Sequence, residues 1–117
     1  MSELPVIDES ALDHLKELGG ENFVGDMVKM FFDYSDEKLA AAREALAVKD
    51  IDLVEKAIHP LKTSAGHVGA ARMKKISQEI EKRARESDCD LIPDLLVRLE
   101  AAYAEVKPLL EPHLPRA

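Results

Sequence analysis

Hydrophobic residues recur along this chain every three or four positions, which is the period of helices that bury one face. The clearest stripe lies between positions 51 and 68 and consists of Ile51, Val54, Ile58, Leu61, Ala65 and Val68. Runs with a period of two and hairpin dipeptides such as Asn-Gly are absent from the sequence, so nothing in the pattern favours strands. The chain is therefore predicted to be all-α.

Capping residues and glycines set the expected helix boundaries. We predict helices over 9–18, 21–48, 51–68, 71–86 and 93–110, with Asp8 and Asp50 as N-caps and Gly19-Gly20 ending the first helix. The short connections between these helices favour antiparallel packing of helices that follow each other in the chain. The expected architecture is an antiparallel four-helix bundle with a short additional N-terminal helix. It forms a single domain over 1–117, with an irregular tail from about 111 to 117.

Length and composition exclude several classes of protein. A chain of 117 residues is long enough for one domain but too short to include a nucleotide-binding kinase domain as well. Its net charge of −7 argues against binding nucleic acid, which rewards a basic face. A lone cysteine, the lack of a signal-peptide pattern and the lack of a long apolar run predict a cytoplasmic protein without a membrane span. The charged surface favours a monomer.

His59 has the most informative position in the apolar pattern. At about 100° per residue, its side chain projects roughly 130° from the centre of the buried stripe, so the ring should face solvent. Lys62 and Gly66 follow on nearly the same ridge. An exposed neutral imidazole is a nucleophile that could accept a phosphoryl group, and a lysine nearby could neutralise phosphate oxygens. A helical glycine, which costs roughly 1 kcal/mol relative to alanine, indicates the close approach of another protein.

The segment from position 59 to 69 reads His-Pro-Leu-Lys-Thr-Ser-Ala-Gly-His-Val-Gly. It resembles the motif of the histidine-containing phosphotransfer (HPt) domains of multistep phosphorelays, roughly His-x-Leu-Lys-(Gly/Ser/Thr)-x-x-(Gly/Ala)-x-x-Gly. The resemblance continues through 12–20 and 70–73 and covers nearly the whole chain. It implies that His59 is the phosphoacceptor, that Lys62 stabilises phosphate charge, and that Gly66 lets a receiver domain reach the ring.

The same resemblance implies the partners. These are response-regulator receiver domains and a hybrid sensor histidine kinase, and the divalent metal belongs to the receiver, so the chain itself needs no cofactor. It would carry a phosphoryl group between receivers without being an enzyme. Two alternatives stay open: a helical adaptor that binds a receiver or kinase without carrying phosphate, and a fragment of a larger sensor kinase.

The fourth predicted helix is locally basic within an acidic protein. Its first residues should lie near the end of the helix that carries His59. We therefore assign Arg72, Lys74 and Lys75 to partner contact, although an ordinary solvated helix face is an equal alternative for the segment as a whole. Thr63 and Lys56, one turn on either side of His59, are assigned to the same partner-binding surface.

Two residues depart from the family pattern. Pro60 lies inside the predicted helix, where it removes one hydrogen bond and clashes with the carbonyl of Lys56 at a cost of about 3 kcal/mol, so we predict a kink there. His67 stands where a small or amide side chain is expected, about 80° around the helix from His59. Phe32 belongs either to the core, which we favour, or to an apolar docking patch beside His59. No cluster with the spacing of zinc ligands is present.

Overall fold

The computed structural model describes residues 4–115. Within that range the chain forms four helices and no strand: α1 (Glu9–Ala47), α2 (Ile51–His67), α3 (Ala71–Arg85) and α4 (Ile92–Leu110), followed by a 3-10 turn over Glu111–His113. The helices pack as an antiparallel bundle, with α2 between α1 and α3 and with α4 against α3 and α1. The predicted all-α fold class is confirmed.

α1 contains the break that the sequence predicts. Gly20 has φ 78° and ψ −173° within an otherwise helical span, a conformation that essentially only glycine adopts. The side chain of Asp8 accepts a hydrogen bond from the backbone nitrogen of Ser10 at 3.1 Å and caps the first turn. The short N-terminal helix and the long second helix of the prediction are thus the two arms of α1.

The core includes the apolar stripe that the sequence predicts on α2. Of the stripe on α2, Val54, Ile58, Leu61, Ala65 and Val68 are at most 1% exposed. Phe32 is 9% exposed and packs against Phe31 and Tyr103, which confirms its assignment to the core. At the end of α4, Leu109 is exposed and Leu110 is buried. Leu110 lies four residues after the buried Val106 and therefore continues the inward face of α4.

The two ends of the described range, 4–115, lie against the bundle. The backbone nitrogen of Asp8 donates to the carbonyl of Gly69 at 2.6 Å, which fixes the N-terminal segment to the corner between α2 and α3. At the other end, a Cβ added to Gly25 would lie 2.8 Å from the carbonyl oxygen of His113. Within the segment predicted to be irregular, a single 3-10 turn forms over Glu111–His113, and residues 114 and 115 have no helical structure. Residues 116 and 117 lie outside the described range.

None of the helices within residues 4–115 combines the length and the apolar character that crossing a membrane requires.

Candidate functional site

The site is built around the middle of α2. Asp50 caps this helix by accepting from the backbone nitrogen of Leu53 at 3.2 Å, and Ile58 and Leu61 anchor its inner face with no exposed surface. His59 follows Ile58 directly in the sequence but points outward, and its side chain is 56% exposed. The burial of the stripe thus holds the helix in a rotation that presents the imidazole to solvent.

A buried carboxylate from the neighbouring helix contacts this ring. Glu81 of α3 is only 4% exposed, and its Oε2 atom is hydrogen-bonded to Nδ1 of His59. Its other oxygen, Oε1, accepts a hydrogen bond from Nζ of Lys62 at 2.8 Å. The Nη2 atom of Arg85 lies 3.5 Å from Oε2, while Nε of Arg85 donates to Glu55 at 2.6 Å. One carboxylate therefore joins α2 and α3 at the site.

The surroundings of Glu81 favour its ionised form. Burial by itself would raise the pKa of the Glu81 carboxyl, but the hydrogen bonds from Lys62 and His59 and the charges of Lys62 and Arg85 outweigh it. The net effect lowers the pKa of Glu81 below its usual value. An ionised carboxylate has no proton to donate.

This charge state determines the chemistry of the ring. Since Glu81 can only accept, Nδ1 of His59 must carry the proton, and in the neutral ring the lone pair then lies on Nε2. The exposed side of the imidazole is consequently its nucleophilic side. The arrangement is suited to attack on an electrophile that approaches from solvent.

An apolar groove of about 490 Å³ lies between α1 and α2 on one side of His59. Its walls are formed by Met27, Met30, Phe31, Tyr34, His59, Pro60, Thr63, Ser64, His67 and Val68. A second hollow between the same two helices includes Lys38, Val48, Leu53 and Lys56. We call these two hollows together the α1/α2 groove. Met30, Val48 and Leu53 are exposed apolar side chains along it.

A polar groove of about 380 Å³ lies on the other side of the helix, between α2 and α3. Lys62, Thr63, Gly66, His67, Lys74 and Gln78 line it. A Cβ added to Gly66 would lie 3.5 Å from Cδ of Lys74, which is an ordinary contact. The packing within the chain therefore does not require a glycine at this position.

The assigned site residues do not all lie together. Lys62, Thr63, Gly66 and Lys74 share the polar groove, with Lys75 exposed beside it, whereas Lys56 lines the α1/α2 groove. Arg72 turns to the N-terminal segment and α4: its Nε donates to the carbonyl of Leu4 at 2.7 Å, and its Nη1 lies 3.2 Å from Glu105. Arg72 thus holds parts of the chain together. Within residues 4–115, no group of three His, Cys, Asp or Glu side chains could hold a metal ion.

Sequence reasoning did not identify Glu81 as a residue of the site. One signal was available: Glu81 lies four residues after Ser77 and one after Ile80, both fully buried, so the helical period places it beside the inward stripe. Burial of an acidic residue there requires a cationic or hydrogen-bonding partner. His67 was not expected to be near His59, yet both line the α1/α2 groove.

The kink predicted at Pro60 does not appear as a break in the helix. Pro60 lies inside α2, and that span has no residue with non-helical dihedral angles comparable to Gly20 in α1. The proline is half-buried on the side of α2 that faces α1. α2 is therefore continuous through Pro60, and a bend of its axis there stays a prediction.

The comparisons with known proteins that give matches all lead to histidine phosphotransfer domains or proteins. The family model for the Hpt domain matches residues 26–107. Histidine-containing phosphotransfer protein B from Pseudomonas aeruginosa PAO1 has a similar structure, with a TM-score of 0.87 and 24% identity over 93% of this chain and 94% of that one. A histidine-containing phosphotransfer protein from Medicago truncatula aligns with a TM-score of 0.80 and 23% identity, over 92% of this chain and 76% of that one. No curated protein sequence matches.

Proposed function

The chain belongs to the Hpt domain family, and we propose that it is a phosphorelay intermediate in which His59 accepts a phosphoryl group from a receiver-domain aspartate and passes it to another receiver. Family membership supports the general role in phosphotransfer. The observation that supports His59 as the acceptor is its pairing with the buried Glu81 carboxylate, because this pairing leaves Nε2 unprotonated on the exposed side of the ring.

The proposed transfer is a displacement at phosphorus. Nε2 of His59 forms a bond to phosphorus while the bond from phosphorus to the aspartyl oxygen of the receiver breaks, and the aspartate leaves as a carboxylate. No proton has to leave the ring. Nδ1 keeps its hydrogen bond to Glu81, which offsets the positive charge that the imidazole gains when both of its nitrogens are substituted.

Lys62 has the role of compensating phosphate charge. An ammonium group has three donors, and one of them is used by Oε1 of Glu81. The remaining donors are available to phosphate oxygens on Nε2 of His59, one turn away. Because the lysine bridges the carboxylate and the acceptor position, it offsets the repulsion between Glu81 and the incoming dianion.

The receiver domain docks, in this proposal, on the face that contains His59 and the grooves beside it. Thr63, Gly66, Lys74 and Lys75 contact it on the polar side, and Lys56 contacts it on the apolar side. A cationic border within a chain of net charge −7 favours a partner whose binding surface is acidic and disfavours other orientations. Arg72 contributes indirectly, by fixing the corner of α3 on which Lys74 and Lys75 lie.

We further propose that the chain is a cytoplasmic monomer and not an enzyme. The divalent metal and the catalytic groups belong to the receiver domain, and the hybrid sensor kinase supplies the phosphate through such a domain. Within the described residues, the cations and the carboxylate beside His59 account for orientation and charge compensation, which are the tasks of a phosphoryl carrier.

Transfer of labelled phosphate from a phosphorylated receiver domain tests this proposal. The expected label on the chain is stable in alkali and labile in acid, as phosphohistidine is, and it is absent from His59→Gln. The matched control is His14→Gln, which removes an exposed histidine on the N-terminal arm of α1 and should retain the label. Label that persists in His59→Gln overturns the proposal. Receiver binding without any labelling of the wild-type chain would indicate the adaptor instead.

A further inference from the structure

We propose that Pro60 leaves the backbone carbonyl of Lys56 available in the α1/α2 groove, and that the docked receiver domain donates a hydrogen bond to it. This inference rests on the proposed function, since it concerns the partner that binds beside His59. Pro60 would then have a role in partner recognition. Because it has no N–H, it leaves a backbone carbonyl of α2 free to form part of the docking surface.

The first step is the missing donor. In an α-helix the carbonyl of residue i accepts from the N–H of residue i+4, and for Lys56 that residue is Pro60, which has no N–H. α2 nevertheless stays helical from Ile51 to His67. Within residues 4–115, no side chain and no amide outside the helix donates to this oxygen. The Lys56 carbonyl therefore lacks its ordinary partner.

The second step is the direction of this carbonyl. Residues four apart lie on the same face of a helix, and the carbonyl of the first points along the axis toward the second. Lys56 and Pro60 line the two adjoining hollows of the α1/α2 groove. Lys56 is exposed and Pro60 is half-buried. The oxygen that lacks its i+4 donor thus lies on the groove side of α2, one turn before the pyrrolidine ring and close to His59.

The third step concerns what surrounds the oxygen. Exposed apolar side chains lie on both sides of it, with Met30 at 64% exposure on one side and Val48 and Leu53 at 74% and 48% on the other. A partner that covers these side chains also removes water from the carbonyl. A buried acceptor without a donor is costly, so a receiver that fits this groove must bring a donor to that point.

The surroundings also restrict the kind of donor. The hollow is bordered by charges of both signs, from Lys38, Lys56 and Glu44, and by the apolar side chains of Val48 and Leu53. A charged donor would lose its hydration when it is enclosed by these apolar side chains, which is costly. The expected contact on the receiver is a neutral hydroxyl or amide donor, from Ser, Thr, Asn or Gln, placed between apolar side chains.

Two substitutions at Pro60 separate the freed carbonyl from the packing of the ring. Pro60→Ala and Pro60→Val both restore the N–H, but only the valine keeps an apolar side chain of similar bulk. Pro108→Ala is the matched control, because Pro108 also lies inside a helix but is exposed on α4 and lines neither hollow. Thermal unfolding shows which variants are folded before any binding is measured.

Binding is measured by calorimetry with the unphosphorylated form of a receiver domain that is chosen because it binds the wild-type chain, whether or not it labels it. Both Pro60 variants should bind about tenfold more weakly than the wild type, and Pro108→Ala should bind equally well. In the wild-type chain, the ¹³C carbonyl resonance of Lys56 should move when the receiver is added. Unchanged affinity for the receiver domain in both Pro60 variants overturns the inference. A loss of affinity in Pro60→Ala alone also overturns it, because the effect would then come from side-chain packing.

A small phosphodonor separates failure of this inference from failure of the proposed function. Phosphoramidate reaches the His59 ring without a docked protein, so both Pro60 variants should be labelled as fast as the wild type. If His59 is never labelled by any donor, the proposed function fails, and the affinity series still tests the contact. If labelling by phosphoramidate falls in the Pro60 variants, the proline acts on the ring and the inference is overturned.

Discussion

Glu81 contacts the His59 ring, Lys62 and Arg85 with one side chain. It occupies a position where a buried charge is tolerated only because its neighbours satisfy it. The carboxylate contributes in two ways. It accepts the hydrogen bond from Nδ1–H of the imidazole, and it places negative charge beside a ring that becomes more positive during transfer. These two contributions can be separated by substitution.

Glu81→Ala removes both the acceptor and the charge, whereas Glu81→Gln keeps an acceptor oxygen and removes the charge. We expect phosphoryl acceptance by His59 to slow about tenfold in the alanine variant, because a hydrogen bond to a charged group is lost, and to slow less in the glutamine variant. Single-turnover transfer from a phosphorylated receiver measures both rates. Equal rates in wild type and Glu81→Ala would show that the carboxylate has no part in the reaction.

The lowered pKa of Glu81 also predicts how stability depends on pH. A carboxyl whose pKa is lower in the folded state stabilises the fold above its unfolded value of about 4.3, and this contribution is lost as the pH falls through the folded value. The free energy of unfolding should therefore fall less between about pH 5 and pH 3 in Glu81→Gln than in the wild type. Urea titrations of the wild type and Glu81→Gln across this pH range measure the difference. Glu79→Gln is the control on the same helix.

The helices and the turns between them determine how these residues meet. Two glycines of the motif have different roles that their sequence spacing does not distinguish. Gly66 lies within α2 and has room for a Cβ in ordinary contact with Lys74, whereas Gly69 has φ 78° and an added Cβ would overlap the carbonyl of Asp8. One glycine is free for a partner to approach, and the other is required by the fold.

Alanine substitutions at these two glycines should have opposite effects on stability. Gly66→Ala should raise the free energy of unfolding by up to about 1 kcal/mol, because alanine is the better helix former. Gly69→Ala should lower it by about 2 kcal/mol or more, through backbone strain at positive φ and the displacement of the N-terminal segment. Denaturant unfolding of both variants provides the comparison. A stability loss in Gly66→Ala that matches that of Gly69→Ala would contradict this assignment.

At the scale of the whole molecule, the α1–α4 side is held by the aromatic cluster of Phe31, Phe32 and Tyr103. The hydroxyl of Tyr103 lies 2.8 Å from the Asp36 carboxylate and 3.2 Å from the carbonyl of Phe32. Burial raises the pKa of Tyr103, and the hydrogen bond to Asp36 raises it further. This hydroxyl is therefore a neutral donor that fixes α4 against α1, away from the His59 ring.

Tyr103→Phe keeps the ring and removes only that donor. We expect a loss of about 1–2 kcal/mol in the free energy of unfolding, because a buried carbonyl and a carboxylate lose their partner. Phosphoryl acceptance by His59 should be unchanged at temperatures where the variant is folded. Combined unfolding and transfer measurements test this, and a slower transfer in the folded variant would show that the two sides of the bundle are coupled.

The sequence alone determined the helices, the buried stripes and the outward rotation of His59, because these follow from local periodicity and capping within single segments. The break at Gly20 and the caps at Asp8 and Asp50 were predictable for the same reason. The family motif likewise lies within one continuous segment, 59–69, which covers the second half of α2 and the turn after it.

Only the tertiary structure decided which residues of different helices meet. The pairing of His59 with Glu81, 22 positions away, depends on how α2 and α3 are rotated against each other, and so does the placement of Lys74 over Gly66. The contacts of Arg72 with Leu4 and Glu105 and the packing of the tail on Gly25 are also long-range. Such contacts arise from the burial of several stripes at once, and no single segment of the sequence contains that information.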